Sequence, residues 1–359
     1  MSSTTKLKII LFCQTIDIDH PVLATTVSWV SKLLEHKSVE RVRVYCIRLG
    51  NHPFAGYEGL DIIEIGGASR ISIIMKVFLY SLRDLMLHKY NCFFVYQNGF
   101  YQLITKLNSL IFKAPIFQWL AHPKKNIRSF INIKFLNYRT FTASENSIPY
   151  LNSRVRISGH GVDPRAFDIS GCLRDRQNGI HIGRISPVKD LEQILAISTK
   201  AMKYKIHCFG PKSSERDQTY FNNIFSNQTE SNLTYHGLLN HDKVSSVLNN
   251  YKFSIFCCEG ALGKFAIESL LCGVPCISDN TSYKEVLPVK LARQLVFQKG
   301  DVDAALKLIN QILYMPDSEY KDLCLEIRDY AKNNHNVDNL INTIVDEMLR
   351  SVFQCSKKS

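Results

Sequence analysis

The sequence has no apolar stretch long enough to cross a membrane. Its most apolar run, ISIIMKVFLYSLRDLMLHKY at residues 71–90, is interrupted by Lys76, Arg83 and Asp84, whereas a spanning helix needs about 20 consecutive apolar residues. The segment MSSTTKLKIILFCQ at the beginning is polar and then strand-like, with no small-residue cleavage site after it. These absences argue against a membrane-spanning or secreted protein and predict a cytoplasmic location.

The sequence also lacks an even number of cysteines. The eleven cysteines are an odd number, and most of them lie within apolar, strand-like runs. This distribution predicts reduced thiols that pack as small hydrophobic side chains. Cys257, Cys258, Cys272 and Cys276 have the residue type of a zinc site, but each lies in a run of core residues. We therefore predict no metal.

Negative charge is scarce in the first half of the chain. Residues 1–168 contain 21 Lys and Arg against 11 Asp and Glu, whereas residues 169–359 contain 23 against 21. A one-sided basic excess is typical of proteins that contact a polyanion, either nucleic acid or an anionic membrane surface. Because the sequence has no nucleic-acid recognition motif, and its basic residues are not interleaved with exposed-looking aromatics, we predict a membrane surface and no nucleic acid.

The nucleotide-triphosphatase loop is absent from the segment that most resembles it, EGALGKFAIESLLCGVPCI at residues 259–277. That loop reads G-x-x-x-x-G-K-[ST]; here Cys258 replaces the first glycine, and Phe265 replaces the hydroxyl residue that would bind magnesium. A strand at 252–258, a glycine turn and a helix from Lys264 remain. The free N–H groups at the start of such a helix suit an anion.

Strand-like and helix-like segments alternate along the whole chain. The first half begins with LKIILFCQ, VLATTVSWVSKLLEH and VRVYCIRL, and the alternation begins again after the turn-rich GHGVDPRAF. This order predicts parallel sheets and an α/β fold with two Rossmann-like, doubly wound domains facing across a cleft. We place the N-terminal domain at residues 1–168, the second domain at 169–335 and a C-terminal helix at 336–359.

The second half resembles a known enzyme family. The segments HGVDPRAF, GRISPVKDLEQIL, YHGLLNHDKVSSVL, EGALGKFAIESLLCGVPCI and KGDVDAALKLINQIL occur in the order and approximate spacing seen in retaining GT-B glycosyltransferases of family 4. The match covers about 180 residues of the C-terminal half and is weak in the N-terminal half, where QTIDIDHPVLATT lacks the family's glycine-rich loop.

The resemblance implies a site for a nucleotide sugar. Arg184 and Lys189 resemble the family's diphosphate-binding pair, which suits the planar fork of arginine and the point charge of lysine. The helix start at Gly263, Lys264 and Phe265 would complete a cradle for the diphosphate. Glu268 resembles the glutamate that accepts hydrogen bonds from the ribose hydroxyls. The implied donor is a UDP- or GDP-sugar, with no cofactor.

Two family positions are less regular. The family usually has seven residues between its two glutamates, but Glu259 and Glu268 have eight. Either the turn bulges and Glu259 still reaches the donor sugar, or the register falls on Gly260 and other groups hold the sugar. His122 follows a strand where the family often has a histidine near the reacting bond. Asp301 occupies a helix-initiating position, so we interpret DVD at 301–303 as a cap rather than a metal motif.

The leading hypothesis is a metal-independent retaining glycosyltransferase that transfers a hexose-type sugar to a glycan or lipid-linked glycan in cell-envelope polysaccharide synthesis. It would work at the cytoplasmic face of the membrane, which the basic N-terminal half and Lys106, Lys113, Lys124 and Lys125 favour. The alternatives are a non-catalytic GT-B protein that binds a nucleotide sugar or a partner transferase, and a sugar-nucleotide epimerase, for which we find no set of acidic and histidine groups.

Overall fold

The computed structural model describes residues 6–20, 23–67, 69–201, 203–226 and 231–356. The chain forms two compact units: an N-terminal unit of residues 1–161 and 337–359, and a C-terminal unit of residues 162–336. The final helix, Val337–Ser356, therefore belongs to the N-terminal unit. It packs on the first helix of the chain, where Lys32 Nζ lies 3.0 Å from Asp338 Oδ1.

Among the described residues, the N-terminal unit has a seven-stranded parallel sheet in the order β3-β2-β1-β4-β5-β6-β7. The strands are β1 (Leu7–Ile16), β2 (Val39–Leu49), β3 (Leu60–Glu64), β4 (Cys92–Tyr96), β5 (Ile116–Trp119), β6 (Arg139–Thr142) and β7 (Val155–Ile157). The connecting helices are α1 (Thr25–Glu35), α2 (Arg70–Leu87), α3 (Phe100–Ile111) and α4 (Ile127–Ile131), and a π-helical turn, Asn132–Leu136, follows α4. The central strands are apolar on both faces because helices cover both.

A buried ion pair joins three elements of this unit. Arg43 on β2 donates to Asp84 on α2 over 2.5 Å and to Asp61 on β3 over 2.9 Å. The hydroxyl of Tyr45 donates to the other oxygen of Asp84 over 2.5 Å. Asp84 is completely buried, so its charge depends on these partners. The sequence placed Asp84 only as an interruption of an apolar run; in the fold it attaches α2 to the sheet.

The part of the C-terminal unit that the structure describes contains a five-stranded parallel sheet in the order β10-β9-β8-β11-β12. Its strands are β8 (Gln177–Ile182), β9 (Ile206–Phe209), β10 (Leu233–Tyr235), β11 (Tyr251–Phe256) and β12 (Cys276–Ser278). Its helices are α5 (Leu191–Lys200), α6 (Glu215–Phe225), α7 (Val244–Leu248), α8 (Lys264–Leu271), α9 (Thr281–Val286), α10 (Val289–Leu295), α11 (Val302–Leu313) and α12 (Asp317–Asn334).

The predicted fold class is confirmed as two parallel-sheet, Rossmann-like α/β domains. The contacts divide the chain at 161/162 and 336/337, where the sequence led us to expect 168/169 and 335/336. Within the described residues, no helix combines the length and apolarity needed to cross a membrane. Cys257, Cys258, Cys272 and Cys276 are all buried free thiols.

The ion pair predicts a large difference between two aspartates that share one arginine. Asp84→Asn should lower the free energy of unfolding by about 3–5 kcal/mol, because it leaves Arg43 buried without its main counter-charge. Asp61→Asn is the matched control, since Asp61 is partly exposed, and it should cost about 1 kcal/mol or less. Both tryptophans, Trp29 and Trp119, lie in the N-terminal unit, so their fluorescence during urea unfolding reports the result. Equal losses in the two variants would contradict this account.

Candidate functional site

The candidate site lies where two neighbouring parallel strands of the C-terminal unit end. Strands β8 and β11 pair directly, with Gly179 opposite Phe253 and Ile180 opposite Ser254. The strand order reverses between them, because β9 and β10 lie beyond β8 and β12 lies beyond β11. Ligands of doubly wound sheets bind at such a switch point, beyond the carboxyl ends of the strands. The loops at 183–190 and 257–263 both begin there.

Backbone contacts with the end of β9 fix the loop after β8. The Gly183 N–H donates to Phe209 O over 2.9 Å, and the Ile185 N–H donates to Pro211 O over 3.0 Å. Gly210 has a φ of 149°, and a Cβ there would lie 1.8 Å from Gly183 O. A side chain at position 210 would therefore displace the loop that carries Arg184.

Arg184 and Lys189 are cations without a carboxylate partner among the described residues. Arg184 is exposed. Lys189 Nζ lies 3.8 Å from Cys258 Sγ and 5.1 Å from the centre of the Phe256 ring, both at the end of β11. The fold thus brings Lys189 to the turn after β11, as the predicted diphosphate site requires.

The start of α9 holds the turn after β11 in place. Asn280 Nδ2 donates to Cys258 O over 2.6 Å, and the Ser282 hydroxyl donates to Gly260 O over 2.7 Å. Gly260 has a φ of 92°, a left-handed conformation that favours glycine. At Gly263 the constraint is space, because a Cβ there would lie 2.3 Å from the Phe256 ring.

Helix α8 begins directly after Gly263, which caps it without a side-chain hydrogen bond. The N–H groups of Lys264 and Phe265 lie in the first turn, where the helix dipole favours an anion. The Phe265 ring is buried and meets the His181 ring edge-on, with 5.8 Å between the centres. The helix start is therefore anchored in the core while its backbone donors point beyond the sheet.

Glu268 is buried on α8 beside two basic side chains. Its Oε1 lies 3.7 Å from Lys264 Nζ and 3.4 Å from His241 Nε2. Burial lowers the pKa of Lys264, and the Glu268 carboxylate opposes that effect. The buried carboxylate provides hydrogen-bond acceptors at the site, which is what the predicted ribose contact needs.

Glu259 lies in a different environment from Glu268. Its side chain is 77% exposed and accepts a hydrogen bond from Lys299. Lys299 Nζ also lies 3.7 Å from Asp190 Oδ2. The Lys299 ammonium lowers the pKa of Glu259, so the side chain is a carboxylate at neutral pH. The bulged turn and the Gly260 register both stay as predictions for the contact with the donor sugar.

His122 lies in the N-terminal unit and lines a pocket of about 670 Å³. The pocket is at the carboxyl ends of β1, β4 and β5, where Gln14, Gln97 and Leu120 also line it. His122 is exposed, and its Nδ1 accepts from the Lys124 N–H over 3.2 Å. Several of the other lining residues carry side-chain amides: Asn98, Gln118, Asn126 and Asn132.

The aspartates of the DVD segment have structural partners. Asp301 Oδ1 accepts from the Ala304 N–H over 2.8 Å and caps α11, as the sequence predicted. Asp303 Oδ1 accepts from Lys200 Nζ over 2.8 Å.

Sequence reasoning missed three residues of this region. His181, the residue before the last of β8, is completely buried. Its Nδ1 donates to Ile255 O over 3.0 Å, and its Nε2 has no partner within the described residues. Burial lowers its pKa to about 4 in spite of the opposing hydrogen bond to Ile255, and the Lys189 ammonium contributes to the lowering. Asp279 is buried at the end of β12, where burial and then Asp190 raise its pKa to about 6. Lys299 is the third. The only signal in the sequence was the position of His181 two residues before Gly183 and Arg184.

One family model matches the C-terminal part of the chain. Residues 173–334 match the family model "Glycosyl transferases group 1". No curated protein sequence is similar enough to count as a match. The matched segment includes all the candidate residues of the C-terminal unit.

Solved structures share the fold. Anabaena HepE, described in complex with UDP and glucose, is 12% identical, with a TM-score of 0.74 over 95% of this chain and 99% of its own. Sucrose-phosphate synthase from Thermosynechococcus elongatus is 13% identical, with 0.74 over 97% and 100%. The lipopolysaccharide outer core galactosyltransferase WaaB is 12% identical, with 0.67 over 97% and 99%. The family model and the fold together support a GT-B glycosyltransferase.

The buried histidine predicts a specific loss of stability in acid. The unfolded chain binds a proton at His181 below a pKa of about 6.5, whereas the folded unit binds it only near 4. Stability should therefore fall as the pH drops from about 6.5 to about 4, by about 3 kcal/mol for this group.

His181→Asn keeps a donor near the Ile255 carbonyl but does not titrate. Amide hydrogen exchange of β8 and β11 in the variant and the parent, compared at each pH, should show a smaller acid-dependent loss in the variant. His88→Asn, at an exposed position, is the control and should behave like the parent. Identical acid profiles for His181→Asn and the parent would refute the assignment.

Proposed function

We propose that this protein is a retaining, metal-independent glycosyltransferase of family 4 that transfers a hexose-type sugar from a UDP- or GDP-sugar. The observation that carries the proposal is the convergence of Arg184, Lys189 and the start of α8 at the β8–β11 switch point. Two cations without carboxylate partners in the described chain, beside free helix N–H groups, form a site for a dianionic leaving group.

The geometry supports a division of roles during transfer. The bond from the anomeric carbon of the sugar to the diphosphate oxygen breaks, and its electron pair stays on the diphosphate. Arg184, Lys189 and the N–H groups at Lys264 and Phe265 stabilise the charge that develops there. The acceptor hydroxyl oxygen bonds to the anomeric carbon, and its proton passes to the departing diphosphate oxygen. Glu268 accepts hydrogen bonds from the ribose, and Glu259 contacts the donor sugar.

We place the acceptor in the N-terminal pocket that contains His122. Side-chain amides both donate and accept, so they suit the hydroxyl groups of a sugar. The proposed acceptor is a glycan or a lipid-linked glycan of the cell envelope. WaaB, which shares the fold, is described as a lipopolysaccharide outer core galactosyltransferase.

We also propose that the protein works on the cytoplasmic face of a membrane. The basic excess of residues 1–168 supports attraction to anionic lipid. Helix α2, which forms from the run at 71–90, exposes Ile71, Met75 and Leu79, and α3 exposes an apolar stripe of its own. Apolar side chains beside lysines are typical of surfaces that enter the lipid interface.

The diphosphate site is tested by removing one cation at a time. Arg184→Ala and Lys189→Ala should each weaken nucleoside-diphosphate binding about tenfold or more, because a hydrogen bond to a charged group contributes roughly 1.5–3 kcal/mol. Calorimetry with UDP and GDP measures the change. Lys205→Ala, at the amino end of β9, is the control and should bind normally. Unchanged affinity in both site variants, with the fold intact, would reject the site. Nucleotide binding without any transfer activity would favour the non-catalytic alternative.

The two glutamates should differ in which step they affect. Glu268→Gln should weaken both nucleoside-diphosphate binding and sugar transfer about tenfold or more, because the amide keeps one acceptor oxygen instead of two and lacks the charge that strengthens a hydrogen bond from the ribose. Glu259→Gln should slow transfer and leave nucleoside-diphosphate binding nearly unchanged, because its partner is the sugar. Glu326→Gln is a matched control, since Glu326 is also exposed and paired with a lysine, Lys290. A negligible effect at Glu259 would support the Gly260 register.

A further inference from the structure

A second pocket of the N-terminal unit lies at the amino ends of its strands, whereas the pocket of His122 lies at their carboxyl ends. It has a volume of about 680 Å³ and is lined at the amino ends of β5, β6 and β7 by Pro115, Tyr138 and Arg154. Lys106 and Lys113, on and just after α3, close another side. The amino and carboxyl ends are separated by the length of the strands. This pocket is therefore distinct from the proposed acceptor pocket.

Three cations around this pocket have no carboxylate partner in the described part of the chain. Lys106 Nζ donates to Leu136 O over 3.2 Å, and Arg154 Nη1 donates to Asn137 O over 3.1 Å. Lys113 is exposed. Burial lowers the pKa of Lys106, and the Arg154 guanidinium lowers it further, which an anion in the pocket would reverse. The fourth cation, Arg139, is paired with Glu347 over 3.3 Å.

Exposed apolar side chains also line this pocket. Leu110 and Phe135 line it with 63% and 60% of their surface exposed. Leu110 belongs to a stripe on α3 with Leu103, Leu107 and Ile111, whose spacing places them on one helix face, and all four are exposed. Cations and exposed apolar side chains that line the same pocket match a ligand that is anionic at one end and apolar at the other.

We propose that this pocket binds the phosphate head group of an anionic membrane lipid, with the exposed stripe of α3 against its acyl chains. Arg154 and Lys113 would donate charge-assisted hydrogen bonds to the phosphate oxygens. The inference rests on the proposed membrane association and deepens it, since it replaces a diffuse attraction with a defined site. The lipid would then fix the orientation of the N-terminal unit on the membrane.

The test compares two double variants that remove the same charge. Binding is measured by co-sedimentation with phosphatidylcholine vesicles that contain phosphatidylglycerol, and with vesicles of phosphatidylcholine alone. Lys113→Gln with Arg154→Gln should weaken binding to the anionic vesicles about a hundredfold, since each removes a charge-assisted contact. Lys89→Gln with Arg41→Gln is the control, and it should weaken binding about tenfold or less. Lys89 and Lys113 have closely matching backbone conformations, with φ angles of 52° and 51°.

Two further measurements distinguish a lipid from a free phosphate ester. Leu107→Gln with Leu110→Gln should weaken vesicle binding, because the acyl chains lose their contact. Soluble glycerol phosphate should compete with the vesicles only in large excess. Unchanged vesicle binding in the leucine variant, or competition by glycerol phosphate at the concentration of the lipid, would overturn the lipid assignment in favour of a free phosphate ester.

The vesicle experiment distinguishes an error in the pocket assignment from an error in the proposed membrane association. If the parent protein binds anionic vesicles and both charge variants weaken equally, the pocket assignment is wrong and the diffuse attraction stands. If the parent ignores anionic vesicles at low salt, both are wrong. UDP binding and the fluorescence of Trp29 and Trp119 confirm that each variant is folded, and UDP binding should be unchanged in all of them.

Discussion

The candidate site depends on the direct parallel pairing of β8 with β11. That pairing requires close contact, because Gly179 leaves room for the Phe253 ring, where a Cβ would approach to 2.4 Å. The buried His181 reinforces it with a hydrogen bond to Ile255 O. Both loops of the site start from the carboxyl ends of these two strands. Their relative position is therefore set by the backbone ladder, and side chains far apart in sequence, such as Lys189 and Cys258, come within 3.8 Å.

The acidic and basic side chains of the site differ in their partners. The carboxylates have basic neighbours: Glu259 pairs with Lys299, and Glu268 lies beside Lys264 and His241. The cations Arg184 and Lys189 have no carboxylate partner within the described residues. Because a nearby carboxylate would compete with an incoming anion, this arrangement leaves the positive charge available to a diphosphate. The turn after β11 can present its N–H groups because Asn280 and Ser282 satisfy its carbonyl oxygens.

The N-terminal unit uses charge in two ways. Inside, Arg43 and Asp84 form a buried pair that orders α2 against the sheet, where an unpaired charge would be costly. Outside, Lys106, Lys113 and Arg154 surround a pocket and contact backbone carbonyls or solvent rather than carboxylates in the described structure. An isolated lysine contributes little at a surface, but several cations beside an exposed apolar stripe attract an amphiphilic anion. The basic excess of the sequence is thus concentrated at particular places in the fold.

The sequence by itself determined the alternation of strands and helices, hence the two parallel-sheet domains, because apolar periodicity and turn residues are local properties. It also determined the start of α8 and the cap at Asp301, which depend on neighbouring residues. Only the tertiary structure decided what surrounds each side chain. The bond of His181 to Ile255 spans 74 positions, and the pair of Glu259 with Lys299 spans 40. Such contacts depend on which strands pair and how loops close. A local sequence pattern does not determine either.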